Sequence, residues 1–147
     1  MDKDTLIQTV PLFSDLSDTS LKVITGKMVA RSYDKEKMIL IEESAGETFF
    51  LISKGTVKIT RMSDDGREVI LAILGEGDFF GEMALLDGEG RSANVVALED
   101  AEVLTLQRSD FLDILERFPK IAIHLLKELT TRIRHSDQQI ESLSLSG

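Results

Sequence analysis

The segment Gly77-Asp78-Phe79-Phe80-Gly81-Glu82-Met83-Ala84-Leu85-Leu86-Asp87-Gly88-Glu89-Gly90-Arg91-Ser92-Ala93 sets a glycine-rich loop between two apolar stretches. Its chemistry is that of an anion-binding loop. Glycines let the backbone approach a bound group closely, and a short helix beginning near Glu82 would aim free N–H groups at it. Arg91 supplies a cation, Ser92 a hydroxyl and a backbone N–H, and Glu82 a hydrogen-bond acceptor. Singly, each residue is ordinary. A glutamate after a glycine is commonly a helix N-terminal charge, and an Arg-Ser pair usually lies on the surface. The nine-residue spacing from Glu82 to Arg91 inside one glycine frame makes the set specific.

Outward from this segment the sequence has the period of strands, from about Met28 to Gln107. Phe49-Phe50-Leu51-Ile52-Ser53 predicts a buried strand, with Gly55 at the turn after it. Val57, Ile59 and Arg61 alternate with Thr56, Lys58 and Thr60. Ser63-Asp64-Asp65-Gly66 predicts a hairpin turn leading back along Val69–Leu74, and Gly75-Glu76-Gly77-Asp78 a further turn. Val95–Leu98 and Glu102–Leu106 close the series around Glu99-Asp100. Short strands at regular spacing, joined by glycine-bearing turns, predict a barrel or jelly roll.

Helical periods flank the strands. Residues 1–27 predict a short helix with Leu6, Ile7 and Val10 on one face, ended by Pro11. A second helix follows, capped by Ser17 or Asp18, with Leu21, Val23 and Ile24 turned inward. After Arg108, Ser109 is the expected cap of a helix holding Phe111, Leu112, Ile114 and Leu115. Pro119 starts a longer helix. Along it Ala122, Leu126, Leu129, Ile133, Ser136, Ile140 and Leu143 repeat at intervals of 4, 3, 4, 3, 4 and 3, the seam of a helix that pairs with a copy of itself. Ser136 is the polar residue in the middle of that seam.

Composition narrows the classes. Of 147 residues, 42% are hydrophobic and 29% charged, as in an ordinary globular domain. No apolar run approaches the length of a membrane helix, and Met1-Asp2-Lys3-Asp4 lacks the character of a signal peptide, so a cytoplasmic protein with no membrane contact is expected. The absence of cysteine excludes disulfides, thiolate-bound zinc and iron–sulfur clusters. A net charge of −9 argues against binding a polyanion through the overall field. A small anion held by one arginine is compatible with it, because local geometry outweighs net charge at short range.

The segment Phe80–Ala93 resembles the phosphate-binding cassette shared by catabolite-activator-type (Crp/Fnr) regulators, cyclic-nucleotide-dependent kinases and cyclic-nucleotide-gated channels. Gly46-Glu47, Gly55 and the Gly75/Gly77 pair also fall where that family's β-roll turns, so the resemblance runs from about Leu12 to Leu143. It implies a mainly β fold with flanking helices: a double-stranded β-helix, or jelly roll, followed by a long C-terminal dimerisation helix. The implied division is 1–27 helical, 28–107 cyclic-nucleotide-binding β-roll and 108–147 helical, cut before a DNA-binding domain.

The resemblance also implies roles. Glu82 would accept from the ribose 2′-hydroxyl, Arg91 would pair with the cyclic phosphate, and Ser92 would donate to the same group. Gly81, Met83, Ala84 and Ala93 would complete the cassette, and Ile59 and Leu74 would line the base pocket. Catabolite-activator-type proteins bring a Thr-Ser pair from the long helix to adenine. Ser136-Asp137 stand at the matching positions here; Ser136 keeps the hydroxyl, while Asp137 departs from the pattern with a carboxylate that can accept from an exocyclic amine. Leu126, Leu129, Ile133, Ser136, Ile140 and Leu143 would form the dimer interface.

The expected function is that of a ligand-sensing domain of a bacterial Crp/Fnr-type transcription regulator. Its effector would be a cyclic nucleotide, cyclic AMP ahead of cyclic GMP. It would act through a ligand-dependent change of a homodimer, with no other cofactor, and touch DNA only through a C-terminal domain absent from the chain. The alternatives are the regulatory domain of a channel or kinase, or a Crp/Fnr sensor of a different small molecule. A cupin-like metalloenzyme wants several histidines on strands, whereas His124 and His135 both fall on the terminal helix. A haem sensor needs an axial ligand near the roll, and none is evident. With no nucleophile–base set either, the chain is expected to be neither an enzyme nor a metal protein.

Overall fold

The computed structural model describes residues 3–40, 47–82 and 93–146, with side chains throughout except at Leu40 and residues 135–146. Eight strands lie in these residues, arranged as two four-stranded antiparallel sheets. One sheet has the order β1 (Val29–Tyr33), β8 (Ala101–Gln107), β3 (Thr48–Lys54), β6 (Phe79–Phe80). The other has the order β2 (Met38–Leu40), β7 (Asn94–Ala97), β4 (Val57–Met62), β5 (Glu68–Leu74). Helices α1 (Lys3–Thr9), α2 (Asp18–Lys27), α3 (Arg108–Arg117) and α4 (Pro119–Ser146) flank the strands, with a 3-10 turn at Pro11–Phe13. This is the mainly β jelly roll with flanking helices that the sequence predicts.

The central strands β3 and β8 of the first sheet are buried on both faces, which accounts for the unbroken apolar run of β3. Phe49 and Leu51 point to the helices, where they meet Leu104, Leu106, Phe111, Ile114 and Ile121. The alternate residues Phe50 and Ile52 point into the roll, against Val57, Phe80, Val95 and Val103. Strand β6 divides in the same way, with Phe79 in the helix-side cluster and Phe80 in the roll. The rings follow suit: Phe49 stacks on Phe111 with centroids 4.6 Å apart, and Phe50 on Phe80 at 4.8 Å.

The hairpin β4–β5 corrects one expectation. The strict alternation of Val57, Ile59 and Arg61 fails: Thr60 is buried while Arg61 is exposed. At this level the pairing with β5 shifts between Ile59 and Thr60, and the extra residue of the bulge is Leu71, on β5. The turn itself is as predicted: Gly66 N–H donates to the Ser63 carbonyl at 2.9 Å, with Gly66 at φ +83°. Gly55, which joins β3 to β4, has φ +87°, and a Cβ there would stand 2.5 Å from the Asp100 carbonyl oxygen.

The helices hold two further corrections. Ser17 caps α2 as predicted, accepting from Ser20 N–H at 3.1 Å, but Val23 is only half-buried; Leu21, Ile24 and Thr25 carry the inward face. Helix α3 begins two residues earlier than expected. Its cap is Gln107, which makes no side-chain capping bond, and Ser109 lies within the first turn. The strand β8 runs directly into α3 at this point, so tertiary packing of Phe111 and Ile114 sets the helix start. Lys27 of α2 reaches across to Asp113 of α3 at 3.2 Å, and this hydrogen bond holds the Asp113 carboxyl below its usual range. Among the described residues no helix is long and apolar enough to cross a membrane.

Candidate functional site

The site is built from the end of β6 and from α4. Strand β6 is anchored by pairing with β3: Ile52 N–H donates to the Asp78 carbonyl at 2.9 Å, and Gly77 N–H to the Ile52 carbonyl at 2.8 Å. Phe79 and Phe80 then pair with Leu51 and Phe50. At Gly81 the chain takes φ +90°, a left-handed turn that favours glycine, and Glu82 enters helical conformation. This turn delivers the Glu82 carboxylate into the molecule, where the residue is 5% exposed.

A buried carboxylate needs a partner. Arg132 of α4 supplies one, its Nη1 donating to Glu82 Oε1 at 3.2 Å. Arg132 Nη2 donates to the Phe79 carbonyl at 2.9 Å, and its Cζ lies 4.2 Å from the centre of the Phe79 ring. The long helix is thus tied to the start of the cassette by one guanidinium. A carboxylate offers about four acceptor positions, so a bond from Arg132 is compatible with a hydroxyl donor on the same group.

Arg132 is the site residue that the sequence reading missed. A signal for it exists. Leu129 packs on the helix-side core, and Arg132 follows three positions later and precedes Ser136 by four, on the same face of the helix. A cation at that level points toward the roll.

The other expected residues are placed as follows. Ile59 pairs with Ala72 and Leu74 with Val57, and both are half-buried against the cluster inside the roll. They are near neighbours on adjacent strands. Gly81 and Ala93 are half-buried at either end of the cassette. Met83, Ala84, Arg91 and Ser92 lie outside the described residues. Ser136, Asp137, Ile140 and Leu143 are helical in α4, but their side chains lie outside the description. Of the seam residues that are described, Leu126 and Ile133 are 64% and 62% exposed, whereas Leu129 is half-buried on its own core. Two clefts of about 360 and 320 Å³ lie elsewhere, the first beside Leu6 and Glu76, the second beside Lys35 and Lys58. Neither contains Glu82 or Arg132. Among the described residues no group of three or more histidines and carboxylates is placed to hold a metal ion.

A family model described as the cyclic nucleotide-binding domain matches residues 30–118. The chain is similar to the cyclic AMP receptor protein of Thermus thermophilus, at 37% identity over 134 residues, which are 91% of this chain and 62% of that protein. It is also similar to a cGMP-dependent protein kinase, isozyme 2, of Drosophila melanogaster, at 29% identity over 95% of this chain and 15% of the kinase. The crystal structure of the Thermus thermophilus catabolite activator protein superposes with a TM-score of 0.82 at 37% identity, covering 91% of this chain and 63% of that one. The chain therefore spans about three fifths of the length of the regulator it matches.

Proposed function

Since the chain belongs to the cyclic nucleotide-binding domain family, with CRP-type transcription regulators among its relatives, we propose that it is the sensor of such a regulator. The domain binds and is not an enzyme, in keeping with those regulators. Its effector is cyclic AMP, held between the cassette and α4. The observation that carries this reading is the Glu82 carboxylate, buried at the mouth of the roll and reached by an arginine of the long helix.

In this reading Glu82 accepts from the ribose 2′-hydroxyl, and Arg91 and Ser92 take the cyclic phosphate by charge-assisted bonds. Gly81, Met83, Ala84 and Ala93 shape the loop, and Ile59 and Leu74 cover one face of the base. Ser136 and Asp137 meet its polar edge from α4. Because α4 both touches the site and carries the exposed seam residues Leu126 and Ile133, two copies pair through it, and bound nucleotide favours one placement of the paired helices. DNA contact belongs to residues outside this acidic chain, which transmits the signal and does not touch the operator.

A second reading follows from the match to the cGMP-dependent kinase: the same cassette serving as a kinase regulatory domain, with cyclic GMP as effector. Displacement of a fluorescent cyclic nucleotide separates the two. Cyclic AMP is expected to displace the probe at lower concentration than cyclic GMP, and linear 5′-AMP to be ineffective, because its phosphate is an open dianion and not the ring monoanion that this reading assigns to Arg91 and Ser92. Preference for cyclic GMP favours the kinase reading. Failure of both cyclic nucleotides to bind overturns the proposal.

A further inference from the structure

Arg132 has a long, flexible side chain that is 31% exposed. Something must select the one orientation in which it meets Glu82. Phe79 surrounds it on two sides, with the carbonyl accepting from Nη2 at 2.9 Å and the ring lying under Cζ at 4.2 Å. Phe79 is itself held rigidly. Its backbone is paired to Leu51, and its buried ring stacks on Phe49 at 5.6 Å, which in turn stacks on Phe111 of α3 at 4.6 Å. A flexible cation therefore rests on a fixed aromatic plane.

From this geometry we infer that Phe79 is a positioning residue for the nucleotide site. Its ring orients the Arg132 guanidinium, which holds the Glu82 carboxylate and fastens α4 to the cassette. The inference rests on the reading of Glu82 as the ribose acceptor. Phe79 acts without touching the nucleotide. Its aromatic face is required, because an aliphatic side chain of similar bulk fills the space but offers no quadrupole to a cation. The contact chain Phe111–Phe49–Phe79–Arg132 also joins α3 to α4 across the sheet, so the platform is fixed from the side opposite the ligand.

The test is a double-mutant cycle read by calorimetric titration with cyclic AMP, using the parent chain, Phe79→Leu, Arg132→Met and the double variant. Phe79→Leu is expected to weaken binding about fivefold in the parent background. In the Arg132→Met background it is expected to change nothing further, since the residue it positions is gone. An equal loss in both backgrounds means that Phe79 acts by packing alone or touches ligand directly, and no loss in either means that its ring is idle; both results overturn the inference. Should Phe79→Leu fail to fold, Phe79→Met completes the cycle. An independent readout needs no substitution: side-chain proton resonances of Arg132 are expected to be displaced upfield by the ring beneath them, and ordinary arginine shifts contradict the contact. A parent chain that binds no cyclic nucleotide overturns the underlying reading as well, and that outcome is distinct from an unaltered cycle in a chain that binds.

Discussion

At the scale of single residues, the backbone conformation of a few glycines places everything else. Gly55 turns the chain from the first sheet into the second at φ +87°, with the Asp100 carbonyl 2.5 Å from where a Cβ would be. Gly55→Ala is therefore expected to destabilise the domain by about 3 kcal/mol, from the strained dihedral and the forced shift of a backbone oxygen. Denaturant unfolding measures it, and a loss of a few tenths would mean that the turn has room to relax. The glycine signal was legible in the sequence because φ above zero is a local property of one residue. The pairing of Arg132 was not, because its spacing from Leu129 and Ser136 gives its face of the helix but nothing nearby says that its partner, Glu82, stands fifty positions earlier on another element. Residue types announce local geometry well and distant pairings poorly.

The same contrast holds for whole elements. Strand β3 reads as buried from its apolar run, and it is buried on both faces. Strand β4 reads as alternating, but Thr60 is buried and Arg61 exposed, at the level where the partner strand β5 carries an extra residue, Leu71, that nothing in β4's own sequence announces. The start of α3 was misplaced for a related reason: with no capping side chain at Gln107, packing and not sequence fixes the boundary. Helix α4 starts at Pro119, as the sequence predicts. Of its described seam residues Leu126 and Ile133 are exposed, whereas Leu129 packs on the chain's own core beside the buried Ile121 and Leu125. Ile133→Asp should accordingly leave the folded chain nearly as stable as before, because the residue is 62% exposed there. In the dimer the charge would be buried and unpaired, at a cost of about 3 kcal/mol or more, or about a hundredfold in self-association. Light scattering across a concentration series reads the difference. A parent that stays monomeric, or a variant that dimerises equally well, would place the interface elsewhere.

For the molecule as a whole, two buried clusters divide the labour. The helix-side cluster, centred on Phe49, Phe79 and Phe111, fixes the long helix to the roll, while the inner cluster around Phe50, Val57 and Phe80 has Ile59 and Leu74 packed against it. Strand β6 belongs to both, through Phe79 and Phe80, and leads directly into Gly81 and Glu82. In the proposed function, a ligand that draws on Glu82 therefore pulls on an element shared by both clusters and tied to the long helix. Net charge makes the assignment of the anion site exacting: in a chain of −9, cyclic phosphate binding depends on a local cation, and Arg91 is the cation of the cassette. The most direct measurement is calorimetric titration of cyclic AMP into the parent chain and into Arg91→Ala. Binding is predicted to be saturable in the parent and weakened about a hundredfold in the variant, whereas equal affinity in the two chains, or no heat of binding in the parent, would contradict the assignment of this cassette as the nucleotide site.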